Sequence, residues 1–560
     1  MVNWKSNRLE DILRLVWVLV TIVLISQLVD RFPLRLDLTE EKRYSISEAT
    51  QRQLESLEDV VYVEVFLEGE LPSGFKRLQK SIREQLEQFA YYSDGNVQFT
   101  FVDPDLARSE RSKNEYYRYL AEKGIQPTNL SYEGEGGKTE KLIFPGAIIS
   151  YFGEEQGVML LKGNRGATPD QILNQSIENL EFELISAIKQ LSNDDRQRIG
   201  LIKGHGELDS LQIAGFTSLL MDKYDVYQIN LPQRTTPLDD YELIILAKPT
   251  TAFAEREKYL IDQYVMNGGR MMMFLDALSV NMDSASGEGT FAFPYNTNLN
   301  DLLFRYGVRI NGNYVQDINC GFFPVVAGNM GDQAQIRMLP WPFFPLINAY
   351  GDHQIVRNLD ASIMKFASTI DTVKAAGIKK TPLMLTSPYT RVLSSPVSVK
   401  FNDLRNELNP DLYNQGPQPV AYLLEGSFTS LYRNRLLPGG ADNTRFKGRG
   451  EPSRILIVSD GDYIRNDFDR DQPQDLGYDP LQKVNYANKD FVSNALEFML
   501  DDDGIINTRL KEIKIRPLDK VKVENDRNYW QIVNLVLPLV VLVLFGLLRS
   551  YLRKRKYTRH

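Results

Sequence analysis

Two apolar runs, Leu15 to Val29 and Ile532 to Leu548, bracket a long stretch of ordinary soluble composition. A bilayer core about 30 Å thick takes roughly 20 mainly apolar helical residues, and each run approaches that length with its flanks. Each therefore reads as a membrane-spanning helix. Lys5, Arg8 and Arg14 precede the first run, while Asp30, Arg31, Asp37, Glu40 and Glu41 follow it. Arg549, Arg553, Lys554, Arg555, Lys556 and Arg559 follow the second run, with no acid among them. By the positive-inside rule both termini are cytoplasmic, and the body between them is extracytoplasmic, which in a bacterium means periplasmic. A cleaved signal competes as a reading of the first run, but Ser26-Gln27-Leu28-Val29-Asp30 offers no small-x-small cleavage site. A buried core helix competes for the second. Its 17 uncharged residues and polybasic stop argue against that.

Charge narrows the partners. Of the formal net −8, the last 12 residues contribute +6 and the first 14 contribute +1, leaving −15 for the rest. An acidic body is a poor match for nucleic acid, whose phosphates call for a basic face. The basic tail reads instead as a stop-transfer and an anchor to anionic lipid. Cys320 is the only cysteine, so no intrachain disulfide forms and buried apolar area must hold the fold. With 43% hydrophobic residues, two or three domain-sized cores are within reach.

The body opens as α/β. Val60 to Leu67 is β-branched and aromatic, as a half-buried strand is, and Phe75, Leu78, Ile82, Leu86 and Phe89 then line one helix face. After the break at Ser93-Asp94-Gly95-Asn96 a strand runs from Val97 to Val102, completing a βαβ unit. A helix near 109–123 and strands near 129–132 and 141–151 follow, so residues 55–162 predict a thioredoxin-like order without cysteine, hence without redox chemistry. Gly137-Lys138-Thr139 imitates the end of a phosphate-binding loop. The glycine required upstream is Tyr132, and the segment joins strand to strand, which predicts a hairpin.

A helix carrying Ile172, Ile177, Leu180, Leu184, Ile188 and Leu191 leads to short apolar strands at 199–203, 225–231, 243–247 and 271–275, with helices near 208–222 and 253–267 between them. That alternation predicts a parallel, doubly wound sheet. Arg454 to Ser459 adds a buried strand and Lys489 to Leu500 a helix; 279–298, 437–453 and 467–487 read as loops.

Ligands of open parallel sheets bind beyond the carboxyl ends of the strands. That rule nominates Gly204-His205-Gly206-Glu207 and Asp460-Gly461-Asp462, with His205, Glu207, Asp460 and Asp462 as candidate ligand-binding side chains. Strand-end capping by Gly and Asp explains the same residues structurally. Nucleophilic catalysis needs Ser or Cys beside an oriented base. The body has only His205 and His353, no G-x-S-x-G elbow, and Cys320 in a loop-rich region, so no catalytic residue is assigned. The oxygen-rich run from Asp460 to Asp471 lacks the spacing and closing Glu of a calcium loop, so no metal or cofactor site is assigned either.

The segment Arg35 to Thr50 (RLDLTEEKRYSISEAT), Gly204 to Glu207, Glu425 to Ser430, Asp460 to Asn466 and Asn507 to Lys511 occur in an order that resembles the gliding-motility GldG family and its relatives among auxiliary ABC-transport proteins. The resemblance covers nearly the whole chain. It implies a glutamine-amidotransferase-like (flavodoxin-like) central domain, shared with intraflagellar-transport proteins, and a non-catalytic part beside an ABC permease subunit and its separate ATPase. It also implies a place in gliding motility and type IX secretion of Bacteroidetes-type bacteria, among other gliding or secretion proteins.

The resulting expectation is an inner-membrane protein. It has a cytoplasmic start (1–14), a membrane helix (15–32), a thioredoxin-like α/β domain (33–165) and a doubly wound α/β domain with loop-rich insertions (166–528). A second membrane helix (529–548) and a basic cytoplasmic tail (549–560) complete it. Rival readings are a periplasmic sugar or peptide receptor with its pocket at His205 and Asp460, and a tethered hydrolase.

Overall fold

The structure is a computed structural model that describes residues 13, 16–21, 46–105, 110–134, 137–162, 168–193, 196–280, 282–286, 289–330, 333–405, 408–439, 444–510 and 526–557. Residues up to Lys511 form one compact unit, and Glu512–His560 form a second. Of the first apolar run only residues 16–21 are described, as helix; the expected span 15–32 otherwise lies outside the described residues.

In the first unit, α1 (Glu48–Glu55) is capped by Ser47, whose hydroxyl accepts from the Thr50 N–H at 3.1 Å. Then come β1 (Val61–Val65), α2 (Ser73–Tyr92), β2 (Val97–Phe101), α3 (Glu110–Glu122), β3 (Thr128–Gly134), β4 (Gly137–Ile143), β5 (Gly146–Tyr151) and β6 (Glu154–Met159). The expected strand at 141–151 is two strands, parted at Phe144-Pro145, where proline has no N–H to offer a ladder. β3 and β4 pair as a hairpin, while β2-β1-β5-β6 make a four-stranded sheet whose β1–β2 pair is parallel and whose other pairs are antiparallel. The face of α2 read from its spacing is the buried one: Leu78, Ile82, Leu86 and Phe89 are all in the core.

The 24-residue α4 (Pro169–Ser192) starts in a capping box between Thr168 and Gln171. Its Glu181 accepts from the Ser47 N–H (2.7 Å) and the Thr50 hydroxyl (2.8 Å), pinning α1 across a long sequence separation. One apolar cluster runs from β1 and β5 through Leu180, Leu184 and Ile188 of α4 to the second sheet.

That sheet is built from β7 (Arg198–Lys203), β8 (Asp225–Asn230), β9 (Leu243–Ala247), β10 (Arg270–Phe274), β11 (Ala349–Tyr350), β12 (Ile378–Leu385), β13 (Pro419–Thr429) and β14 (Arg449–Val458). Its order is β11-β12-β13-β14-β10-β9-β7-β8. The stretch β14-β10-β9-β7-β8 is parallel, and beyond β14 the pairing turns antiparallel, which the purely parallel expectation missed. The inner parallel strands β7, β9, β10 and the end of β14 are buried on both faces, so they read as apolar runs, whereas the edge strand β8 is half exposed. Leu243, Ile245, Met272 and Leu456 meet α5 (Ala214–Met221) and α7 (Asn488–Leu500) on one side, and Ile244, Leu246, Met271 and Ile455 meet α6 (Glu255–Met266) on the other.

Between β10 and β12 the expected loops include real structure. A long hairpin, Cys320–Met330 with Gln333–Ile347, seats Trp341, Phe343 and Phe344 against Tyr314 and Phe366 in an aromatic core of its own. The second unit holds α8 (Arg527–Tyr557). Its segment Tyr529–Leu552, 24 residues, is long and apolar enough to cross a membrane. At 1.5 Å per residue it spans about 36 Å, more than the roughly 30 Å a bilayer core requires.

Candidate functional site

Counted in chain order, the five parallel strands lie 2-1-3-4-5, so the order reverses between β7 and β9. Doubly wound sheets open a crevice at such a switch point, outside the carboxyl ends of the strands. Here the two loops bordering it are Gly204 to Glu207 and Lys248 to Phe253, and they bond to each other. The His205 carbonyl accepts from Thr250 N (2.8 Å) and Thr251 N (3.0 Å), and the His205 ring stacks on Phe253 at 3.6 Å. The glycines make this possible: Gly204 and Gly206 take φ +118° and +73°, and a Cβ on Gly206 would come within 2.2 Å of the Thr250 hydroxyl.

His205 is 2% exposed and meets carboxylates on both ring nitrogens. Nδ1 lies 3.3 Å from Glu207 and Nε2 3.0 Å from Glu257, whose carboxylate also caps α6 through the Ala254 N–H at 2.6 Å. Burial depresses the imidazole pKa, but the two carboxylates outweigh burial and hold it above its ordinary value. Burial likewise raises the Glu207 carboxyl, and its bonds from the His205 ring and N–H reverse this and bring it below the usual range; the Gly204 N–H donates to it as well, at 2.9 Å. A histidine so engaged has no free nitrogen with which to act as a base.

Asp460 and Asp462 belong to a second group. Lys248, in the left-handed region at φ +58°, follows β9 and salt-bridges Asp276 (3.0 Å) beyond β10 and Asp462 (2.6 Å) beyond β14. The Gly461 N–H donates to Asp276 at 2.5 Å, and Asp460 accepts from Asp462 N (2.8 Å) and Lys365 N (2.6 Å). Burial raises the pKa of Asp276 against the pull of Lys248, and burial with the charges of Asp276 and Asp462 raises that of Asp460. Asp462 runs the other way: Lys248 outweighs its burial and keeps it ionised.

The structure thus brings His205 together with Glu207, and Asp460 together with Asp462. Among the described contacts none joins the first pair to the second. Strand-end logic missed Lys248, Asp276 and Glu257. The first two stand just beyond apolar strands, where the same rule applies, but single charged residues there carry no motif. The carboxyl end of β14 is also occupied by the chain itself: Ser368 N donates to Ser459 O at 3.0 Å, Ser459 Oγ donates to the Ser368 carbonyl, and Lys365 N donates to Asp460. Cys320 is buried and its thiol is pushed up to about 12 by burial, which makes it a poor nucleophile.

A cavity of about 950 Å³ opens at the opposite pole, the amino ends of β7 and β8, between β6, α4 and the end of α7. Its charges are internally matched in part: Lys223 meets Glu497 at 3.0 Å and Lys189 meets Asp501 at 3.7 Å. It lies away from every side chain nominated by the strand-end rule.

Residues 196–495 match the family model described as "ABC-type uncharacterized transport system", and residues 40–150 match that of a domain of unknown function. An uncharacterized protein of Borreliella burgdorferi is 19% identical over 98% of this chain and 99% of its own length. Among solved structures, the mmIFT52 N-terminal domain aligns at 12% identity with a TM-score of 0.31, covering 55% of this chain and 99% of that one. An exo-beta-1,4-mannosidase, Op5Man5 from Opitutaceae bacterium strain TAV5, aligns at 12% identity with a TM-score of 0.21, over 52% of this chain and 35% of that one.

Proposed function

Since this chain belongs to the ABC-type uncharacterized transport system family, we propose that it is a doubly anchored, non-catalytic subunit of an ABC transporter-like complex. In this reading it binds a permease through its membrane helices and presents a periplasmic interaction body, while a separate ATPase supplies the energy. The observation that carries the non-catalytic part is the state of the switch-point crevice. His205 is spent on Glu207 and Glu257, Lys248 on Asp276 and Asp462, and the two loops that border the switch point bond to each other.

The strand order 2-1-3-4-5 supports a flavodoxin-like reading of residues 166–528, and the sheet order β2-β1-β5-β6, with the β3–β4 hairpin inserted after α3, supports a thioredoxin-like reading of 33–165. The two family matches, ending at 150 and starting at 196, fit a division between them. Resemblance to the GldG family supports service in gliding motility and type IX secretion. His205, Glu207, Asp460 and Asp462 remain the residues of a receptor reading, in which a small ligand would have to displace the loops now bonded to one another.

Topology is the test. Alkaline phosphatase, which folds only outside the cytoplasm, should be active when fused after Leu510 and inactive when fused after His560. The reverse pattern would contradict the reading.

A further inference from the structure

The two ends of the eight-stranded sheet are finished differently. At one end β11 is two residues long, and its neighbour β12 carries Lys379, Lys380, Pro382 and two irregularities of register. Short strands, lysines, prolines and bulges are the devices by which a sheet refuses another strand. At the other end β8, Asp225-Val226-Tyr227-Gln228-Ile229-Asn230, has six residues and none of these devices.

The outward groups of β8 can be identified. In a parallel pair, alternate residues of one strand turn both N–H and C=O to the neighbour, and the residues between them face away. The bond from Asp225 N to Gln197 O, 3.1 Å, sets the phase, so Asp225, Tyr227 and Ile229 bond β7. Val226, Gln228 and Asn230 then present their backbone groups outwards, and no described residue bonds them. Tyr227 is 44% exposed beside them.

We propose that this edge pairs with itself: two copies of the chain join β8 to β8 antiparallel about a twofold axis, with Gln228 opposite Gln228 of the copy. That register sets Val226 opposite Asn230 of the copy, so every outward N–H and C=O on both strands gains a partner. The charges agree with it. Asp222 and Asp225 stand at the start of the strand, with no salt bridge among the described residues. Beyond its end lie Arg234, which holds Asp240 at 3.1 Å, and Arg256, which donates to the Arg234 carbonyl at 3.1 Å. Antiparallel pairing brings Asp222 and Asp225 of each copy beside the finish of the other, where Arg256, unlike Arg234, has no salt bridge among the described residues.

The full chain in detergent tests this. Its mass by light scattering should be that of a dimer, and Gln228→Cys should give a disulfide-linked dimer on mild oxidation. Hydrogen-bonded antiparallel partners sit about 5.5 Å apart at Cα, within disulfide reach. A cysteine at Leu436, which is 96% exposed elsewhere, should cross-link at least tenfold more slowly. Gln228→Pro removes an N–H that bonds nothing within the chain, and Gln228→Lys sets two cations on the axis; each should leave a monomer with an unchanged circular dichroism spectrum. A monomeric wild-type chain, or a dimer that survives both substitutions, overturns the proposal.

Discussion

Replacing Lys248 with methionine should cost the fold about 3–5 kcal/mol, the usual penalty for leaving a buried charge without its partner. Among the described residues the lysine is the cation that bridges Asp276 and Asp462, at 3.0 and 2.6 Å, and all three side chains are largely buried. Burial lowers the Lys248 pKa, but the two carboxylates overcome this and keep it charged. Without it Asp462 loses the stronger of its cations and keeps the more exposed Arg465, at 3.4 Å, while Asp276 and Asp460, already raised by burial, press against it. Methionine preserves the length of the side chain, so lost packing contributes little. Chemical melts of the detergent-solubilised chain measure the cost. Adding Asp276→Asn to Lys248→Met should restore at least about 1 kcal/mol, because the two sites share one network. A loss under about 1 kcal/mol for the single variant would mean that the cluster is hydrated and exposed.

The two buried histidines should give stability opposite dependences on pH. His353 is buried with Nδ1 accepting from the Ile355 N–H at 3.3 Å, a role only the neutral ring can fill, and burial pushes its pKa down to about 4. Its folded value lies below the ordinary 6.5, so its contribution is present above about pH 6.5 and is lost as pH falls towards 4. At 1.36 kcal/mol per pKa unit the loss is on the order of 3 kcal/mol. His205 behaves in reverse. Its ring nitrogens face Glu207 and Glu257, with Lys203 near both Glu207 and Asp209, and its pKa is raised. Its contribution is therefore complete below about pH 6.5 and disappears as pH rises through the higher folded value. Melts from pH 4 to 9 on the wild type, His353→Asn and His205→Gln resolve the two. The wild-type advantage over His353→Asn should shrink on the acid side, and that over His205→Gln on the alkaline side. Curves that stay parallel to the wild type would remove both assignments.

Where the chain was legible, one physical pattern dominated. Leu243–Ala247, Arg270–Phe274 and the end of Arg449–Val458 are strands buried on both faces, so their apolar runs stand out. The α2 face was legible because its residues recur at helical spacing. The helix expected over 208–222 is regular only from Ala214: Asp209 and Gln212 exchange capping-type hydrogen bonds of 3.0 and 2.8 Å, and the residues between them and Ala214 form a turn that leads into it. The hairpin from Cys320 to Ile347 was hidden by Pro324, Pro340, Pro342 and Pro345, which read as breakers although a strand tolerates proline where its N–H would face away from the partner. In the candidate site, two short Gly- and Asp-rich turns were visible. Their partners Lys248, Asp276 and Glu257 were not, since pairing across separate strand ends depends on a strand order that no local pattern encodes.

The central claim is that this chain works as an auxiliary part of a transport assembly and does no chemistry itself. Capture of the full-length chain from native membranes in mild detergent, followed by identification of what is retained, tests it most directly. The account predicts a polytopic membrane protein and a separate ATPase in amounts comparable to the chain. Recovery of the chain without either, under conditions that keep the membrane helices folded, would contradict it.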